Sequence, residues 1–447
     1  METIEYTDSN RDLESLILEL VELKQKNHKN SIALILPVKN EDRIAGVCKT
    51  AIYYLFGPYT ISKITSRYSF SEIAHISPIS ELILVDASHP DDDTFVNSGY
   101  LAAKAIKEAI LDLGLDLSII DRQKNVRISQ IRRKPEFNSL LFSSLESSIP
   151  INQTLDGKGS GMYQGIALSK GYNIAFSDCD IKQYNALFLF KLLKAFLSAD
   201  NDCFVTSHYQ KCKYPNKILG DVYSDGYTIS GRASRLAFQN LHRSLFNCGI
   251  DDFGKACPKY PLSGEFIIPK NIIESITFPT AYGIETAINF FVLGKGIPIR
   301  DVNLGIKEHV PQIESKIENM VSQIFDAFLF VCKKHFPEQY KKIILQKENI
   351  IESYKNMENF YKLDQLDQQR LRNYSQLLEH SFKNTKSFFL PPLKQINYYK
   401  NQNQLIQRVN IETQAIFKKI GSPGSVVKNV SKGTKSTINV AGTGGIT

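Results

Sequence analysis

Between residues 11 and 25 the apolar positions are Leu13, Leu16, Ile17, Leu20 and Leu23, with Glu and Lys among them. That spacing predicts an amphipathic helix packed on the domain by its apolar face, with a partner or membrane contact as the alternative use. The pattern then changes. Ser31-Ile-Ala-Leu-Ile-Leu-Pro37 is a continuous apolar run, as a strand buried on both faces of a sheet requires. Glu81-Leu-Ile-Leu-Val-Asp86 and Asn173-Ile-Ala-Phe-Ser-Asp178 repeat it. Helical stretches separate these runs. One follows Pro37-Val-Lys-Asn40-Glu41-Asp42, whose acidic residues suit a helix N-terminus. Others run from about Asn97 to Leu113, from Met162 to Ser169, and, rich in Leu and Phe, from about Tyr184 to Leu197. Alternating strand and helix predict an α/β fold with a parallel sheet, whose ligands bind outside the carboxyl ends of the strands. From 203 to 310 strand, polar loop and helix follow one another, and the last strand spans Pro298 to Gly305. Past 311 the helical period persists with many Gln, Asn and Lys and few glycines, which predicts an α-helical extension to 420. Residues 421–447 are rich in Gly, Ser and Thr, hold Lys428, Lys432 and Lys435 and no acidic residue, and are expected to be disordered. The expected division is therefore 1–30 (a helix packed on the core), 31–310 (the α/β domain), 311–420 and 421–447.

Composition narrows the class. The chain has 447 residues, 43% hydrophobic and 22% charged, as a folded globular protein does. Its net charge of +8 suits anionic ligands such as nucleotides or phosphorylated metabolites, without choosing them over nucleic acid or an acidic membrane surface. Seven cysteines, scattered and without a C-x-x-C pair, point to a reducing compartment. No signal peptide opens the chain and charge interrupts every long apolar run, so a cytoplasmic protein without a membrane span is expected.

Candidate chemistry centres on Ser177-Asp178-Cys179-Asp180 at the end of the third apolar run. Residues two apart in a strand share a face, so Asp178 and Asp180 are able to converge on one divalent cation through hard oxygen ligands. A solvated turn has the same sequence. Upstream, Gly157-Lys158-Gly159-Ser160-Gly161 offers an anion-binding turn at a helix N-terminus with Lys158 as a point charge, or simply a flexible loop. It is not a P-loop. Three further dense segments are Ser230-Gly-Arg-Ala-Ser-Arg235, Tyr260-Pro-Leu-Ser-Gly-Glu265-Phe and Ala281-Tyr-Gly-Ile-Glu285.

Taken in order, these segments resemble a GT-A nucleotide-sugar glycosyltransferase, and most specifically the glucosyl-3-phosphoglycerate synthases and their mannosyl-transferring relatives, over roughly residues 31 to 311. Pro37-Val-Lys-Asn-Glu-Asp42 is similar to the family's Pro-Ala-Leu-Asn-Glu-Glu, which implies Pro37 and Glu41 in the nucleotide pocket. Leu84-Val-Asp86-Ala-Ser88 resembles the motif whose aspartate and serine contact uridine. Gly157-Lys158-Gly159 matches a Gly-Lys-Gly whose lysine reaches the donor, and Ser177-Asp-Cys-Asp180 stands at the Asp-Ser-Asp metal motif. Gly231-Arg232-Ala233-Ser234 is similar to the Gly-Arg-Val-Thr element that binds the acceptor's phosphate and carboxylate. Pro261-Leu-Ser-Gly264-Glu265 matches the segment whose glycine and glutamate hold the sugar. Tyr282-Gly-Ile-Glu285 matches a Gly-Tyr-Gly-Val-Glu motif, with Ala281 in place of its leading glycine. Leu304-Gly-Ile-Lys307-Glu-His309 resembles the closing segment, where His309 is implied as third metal ligand and Lys307 replaces the usual arginine. The acidic loop Asp91 to Asp93 and the length of the helical region depart from the family, and Tyr223 to Tyr227 matches nothing in it.

The resemblance implies a GT-A fold and a retaining transferase that moves a hexose, glucose favoured, from a nucleotide sugar, UDP favoured, to 3-phosphoglycerate or a similar small anion. Mg²⁺ or Mn²⁺ would be held by Asp180 and His309 with Asp178 beside them, and Lys158 and Lys307 would add to the field on the leaving diphosphate. Glu265 is implied to hold sugar hydroxyls, or to act as a base as in inverting relatives. A homodimer is also implied, with no nucleic acid as partner and no membrane span. Three other readings compete: a transferase with a protein, lipid-phosphate or sugar acceptor chosen by the C-terminal helices; a nucleotidyltransferase, whose glycine-rich basic signature is missing after Pro37; and a non-catalytic protein on a transferase scaffold.

Overall fold

A computed structural model describes residues 2–4, 12–88, 96–130, 157–181, 184–199, 202–212, 227–228, 231–254, 256–308, 314–357, 363, 365–384, 387, 389–396 and 398–421. The expected third ligand His309, the loop Asp91 to Asp93, all of Tyr223 to Tyr227 but its last residue, and the tail beyond 421 lie outside them.

Among the described residues nine strands form one sheet. They are β1 (Glu2–Ile4), β2 (Ile32–Val38), β3 (Glu81–Asp86), β4 (Val126–Gln130), β5 (Asn173–Phe176), β6 (Phe204–Cys212), β7 (Tyr227–Thr228), β8 (Phe266–Pro269) and β10 (Ile299–Glu308). The order is β1-β10-β6-β8-β5-β2-β3-β4, with β7 pairing β6 off this path. Every neighbour along the path is parallel except β8, which runs against both β5 and β6. Two short strands, β9 (Phe278–Pro279) and β11 (Phe389–Leu390), pair separately. The expected α/β class with a mostly parallel sheet is the one found.

The continuous apolar runs follow from burial on both faces. Ala33, Ile35, Ile83, Val85, Ile174 and Phe176 enter one core, with Tyr163 and Ile166 of the helix Lys158–Leu168. Their neighbours Ile32, Leu34, Leu36, Leu82, Leu84 and Ala175 enter the other, with the helices Ala45–Phe56 and Ser98–Asp112. The period of two sorts one strand into two cores, and each such Val, Leu, Ile or Phe side chain contributes about 1.5–3 kcal/mol by leaving water. The N-terminal helix, Leu13–Lys26, buries Leu16, Ile17, Leu20 and Val21 in the second core, with Leu13 and Leu23 partly buried against it.

The helices Glu314–His335 and Gln365–Lys383 share the first core, through Val321, Phe325, Phe328, Leu371, Tyr374 and Leu378. Helix Tyr399–Gly421 packs beside β4, where Ile128 N donates to Thr413 Oγ1 at 2.8 Å. Among the described residues no helix is long and apolar enough to cross a membrane.

Two local expectations are corrected. The helix expected from Met162 begins at Lys158, so Gly-Lys-Gly is its cap and first turn rather than a free loop. The last strand does not stop at Gly305 but continues to Glu308 across a break in register between Asn303 and Ile306.

His335, at the end of the long helix, accepts through Nε2 from Thr277 N at 3.2 Å, which requires a neutral ring. Burial first, and then Lys295 and Lys334, bring its pKa down to about 4 from an ordinary value of 6.5. Because the folded-state pKa is depressed, the stability that this contact supports is present above about pH 6.5 and is lost as pH falls toward 4. Urea midpoints at pH 7 and pH 4.5 are expected to diverge less in His335→Gln than in the natural protein. An equal loss in both would assign the acid sensitivity to other groups.

Candidate active site

The inverted strand β8 assembles the site. Since it runs against its neighbours, the residues just before it lie at the edge where the parallel strands end. Gly264 and Glu265 precede β8, Asp178 and Asp180 follow β5, Lys307 is near the end of β10, Glu41 follows β2, and Asp86 ends β3. Segments far apart in sequence thus meet at the carboxyl edge, where α/β sheets bind ligands.

Alternation holds through the Asp-Cys-Asp segment. Asp178 and Asp180 are half-buried, whereas Cys179 points into the second core. The middle residue is packing. Asp178 lies against Gly264, where a Cβ would fall 2.1 Å from Asp178 Oδ1, so any larger residue would push that carboxylate out of place.

A chain of alternating charges runs through the site. Lys158 Nζ lies 2.6 Å from Glu285 Oε1 and donates to Asp178 Oδ1 at 2.8 Å. Lys307 Nζ lies 3.6 Å from Asp178 Oδ2 and donates to Glu265 Oε1 at 2.6 Å. Ser263 Oγ donates to Glu265 Oε2 at 3.0 Å, and the ring of Tyr209 lies 4.6 Å from the Lys307 ammonium. Burial alone would raise the Asp178 pKa, but Lys158 and Lys307 outweigh it and hold the carboxyl below its ordinary value. Burial likewise opposes the charge on both lysines, yet their carboxylate neighbours keep the pKa of each above the ordinary value. For Glu285 burial wins over Lys158, and its pKa is raised. Glu265 is wholly buried, so in this conformation it meets the site through Lys307.

The bulge in β10 explains why Lys307 is there. Gly305 adopts φ +88°, a left-handed conformation natural to glycine. Before the bulge Val302 and Leu304 are buried; beyond it Ile306 is 52% exposed and Lys307 1%. Unbroken alternation would bury Ile306 and expose Lys307.

At the β2 and β3 ends the predicted residues organise one another. Asp86 accepts from Ser88 N at 2.9 Å and from Gly99 N at 2.8 Å, which caps the helix Ser98–Asp112. Burial raises its pKa against these bonds. Ser88 Oγ accepts from Asn40 N at 2.8 Å, and Glu41 N donates to Ser98 Oγ at 2.7 Å. Pro37 pairs with Val85 in the sheet. Glu41 is held up to about 7, chiefly by burial and also by the charge of Asp180. The first-turn amides of Gly159 and Ser160 donate to Ala281 O and Thr280 O at 3.2 and 3.0 Å. That turn therefore brings the Lys158 ammonium to the site rather than free amides.

Glu41, Asp178, Asp180, Glu265 and Glu285 set five carboxylates against the two lysines. This excess of hard, anionic oxygen suits a divalent cation such as Mg²⁺ or Mn²⁺. Among the described residues no cluster of three or more His, Cys, Asp or Glu with ligand geometry is present.

Gly231, Arg232 and Ser234 fall among the C-terminal helices. Ser234 is buried in the π-helical turn Ala233–Gln239, and Arg232 pairs with Glu314. Sequence reasoning gave no role to Glu285, although it lies in a segment already singled out, nor to Tyr209. It also missed the buried pair His208–Asp301, with Nδ1 and Oδ1 2.8 Å apart. Asp301 Oδ2 accepts from Lys259 N at 2.8 Å and so braces the segment leading to Glu265.

The chain is 27% identical over 194 residues to the glucosyl-3-phosphoglycerate synthase of Mycolicibacterium smegmatis, which covers 42% of this chain and 59% of that protein. With the Methanococcoides burtonii protein of the same name it shares 26% over 209 residues, 44% and 49% of the two chains. The match thus spans less than two thirds of these relatives. Among solved structures, the glucosyl-3-phosphoglycerate synthase of Mycobacterium tuberculosis in complex with Mn²⁺ and UDP-glucose aligns with a TM-score of 0.43 at 19% identity, over 74% of this chain and 86% of that one. The mannosyl-3-phosphoglycerate synthase of Rubrobacter xylanophilus aligns with a TM-score of 0.42 at 18% identity, over 71% and 78%. No family model matches the chain. In sequence, then, this protein resembles the glucosyl-3-phosphoglycerate synthases, GT-A glycosyltransferases by the resemblance of their motifs.

Proposed function

We propose that this protein is a GT-A hexosyltransferase. It moves a hexose, glucose favoured, from a nucleoside diphosphate sugar, UDP favoured, to 3-phosphoglycerate or a similar small anion, with retention at the anomeric carbon. The observation that carries the reading is the meeting of Asp178, Asp180, Lys158, Lys307 and Glu265 at the carboxyl edge of the sheet. Similarity to curated glucosyl-3-phosphoglycerate synthases supports the choice of substrates.

Glu41, Asp86 and Ser88 line the nucleotide end beside Pro37. Asp178, Asp180 and His309 would hold Mg²⁺ or Mn²⁺, which would supply positive charge to the leaving diphosphate. Lys158 and Lys307 extend that positive field, and the carboxylates around them keep both protonated. Gly264 borders the place of the sugar, and Glu265 acts on it through Lys307. Same-face attack by the acceptor needs no dedicated base.

A second reading, a different acceptor chosen by the C-terminal helices, draws on the packing of Glu314–His335 and Gln365–Lys383 around the Gly-Arg element. Release of nucleoside diphosphate from a panel of UDP- and GDP-sugars with Mg²⁺ or Mn²⁺, with and without 3-phosphoglycerate, separates the two. Strong acceleration by 3-phosphoglycerate with one donor supports the first; slow release that ignores it supports the second. No release from any donor removes both. Arg232→Ala is expected to raise the apparent KM for the acceptor by about tenfold or more, with little change in the donor KM, because a charge-assisted contact is lost. An unchanged acceptor KM would take Arg232 out of the acceptor site.

A further inference from the structure

Three side chains converge on a single carboxylate beside the Gly231-Arg-Ala-Ser234 element. Glu314 Oε2 accepts from Arg232 Nη1 and, at 3.1 Å, from Arg370 Nε, with Arg370 Nη2 also 3.1 Å away. Glu314 Oε1 accepts from the Tyr374 hydroxyl at 3.2 Å. Arg370 and Tyr374 are four residues apart on the helix Gln365–Lys383, hence on one face of it.

Most of the receptor is buried, and its occupant is partly exposed. Arg370 Nη1 donates to Asp367 Oδ1 at 2.8 Å, and Arg235 Nη2 donates to Asp367 Oδ2 at 2.6 Å. Asp367, Arg370 and Tyr374 are essentially buried. Glu314, by contrast, has a side chain 39% exposed and is the first residue of its helix. A braced guanidinium and a buried phenol, with the Arg232 guanidinium beside them, make a selective site for a planar anion, and a partly exposed side chain held there is displaceable.

We infer that this is the subsite for the acceptor's carboxylate: Arg370 and Tyr374 complete it with Arg232, and Glu314 fills it as an internal stand-in until the acceptor arrives. The inference rests on the anionic-acceptor reading above. It adds to that reading two binding residues from the C-terminal helices and a self-inhibitory contact. A purely structural clamp between the helices predicts the opposite response, since removing the Glu314 charge would loosen the site and its ligand together.

The test is calorimetric binding of 3-phosphoglycerate to the full chain, with glycerol 3-phosphate, which lacks the carboxylate, as comparison. Glu314→Gln is expected to bind 3-phosphoglycerate about five- to tenfold tighter with little change for glycerol 3-phosphate, and Tyr374→Phe to bind 3-phosphoglycerate about threefold or more weaker. Unchanged or weaker binding of 3-phosphoglycerate to Glu314→Gln, or an equal gain for glycerol 3-phosphate, overturns the inference. So does a failure of both variants and the natural protein to bind 3-phosphoglycerate. Should Glu314→Gln not fold, an unchanged affinity in Tyr374→Phe overturns it instead. UDP-glucose binding with Mn²⁺ in the same samples tells the two readings apart: donor binding with no Glu314 effect leaves the transferase standing and removes the stand-in.

Discussion

Asp180→Ala is expected to lose metal-dependent release of nucleoside diphosphate by about a thousandfold, the scale of removing one preorganised electrostatic contact to a transition state. Its fold should survive. Asp180 is only half-buried and adds a like charge beside Asp178 and Glu41, raising the pKa of the latter. Loss of its carboxylate relieves repulsion, so the melting temperature should stay level or rise slightly as turnover disappears. A residue kept for a charge that the fold would be easier without is the usual trade between stability and activity. A second consequence follows at Glu41. Its pKa, now about 7, should move down toward the ordinary carboxylate range, though not all the way, because burial is the larger cause and stays. The check is turnover across Mn²⁺ concentrations with thermal melting on the same sample. Full activity in Asp180→Ala removes it from the mechanism, and lost activity with a collapsed melting temperature reassigns it to structure.

The strands that carry the site were legible because burial on both faces writes a continuous apolar run. β2, β3 and β5 announce themselves that way, and the Asp-Cys-Asp segment keeps the same alternation past the strand end. β1, three residues long, has no such run and was missed. β10 was read short because Gly305 looks like a terminator, whereas its positive φ makes it a bulge inside the strand. That one misreading matters chemically, since the bulge brings Lys307 inward. Lys158 was found as a candidate, but its partner Glu285 follows only once Gly159 and Ser160 are seen bonded to residues 281 and 280. Least legible were the companions of Arg232. Helical periodicity in residues 314–383 marks which face is apolar; it says nothing of which far turn faces Glu314, Asp367 or Arg370 toward the Gly-Arg element. Pairings between segments so distant are set by tertiary packing.

Lys307→Ala is expected to be the most destabilising single change in the site. The Lys307 side chain is 1% exposed and its partner Glu265 wholly buried, so truncation strands a carboxylate out of water and takes a counter-charge from Asp178. Removing one partner of a buried ion pair costs about 3–5 kcal/mol. The cost lies in what is left behind rather than in the worth of the bond. Neutralising both ends should therefore restore much of it: Lys307→Met combined with Glu265→Gln is expected to unfold closer to the natural protein than Lys307→Met alone, a coupling of the kind that double-mutant cycles resolve. Lys307→Arg keeps the charge and matches the residue that the resembling family carries at this position, so it should retain most of the stability. Turnover should fall sharply in Lys307→Ala and in the double variant alike, since neither supplies the ammonium that the proposed function sets beside the leaving diphosphate. Urea unfolding of the four variants decides the matter: a loss in Lys307→Ala of under about 1 kcal/mol, the range of an exposed pair, would mean that water reaches Glu265 in solution and that the charge chain from Glu285 to Glu265 is not the buried scaffold on which the site depends.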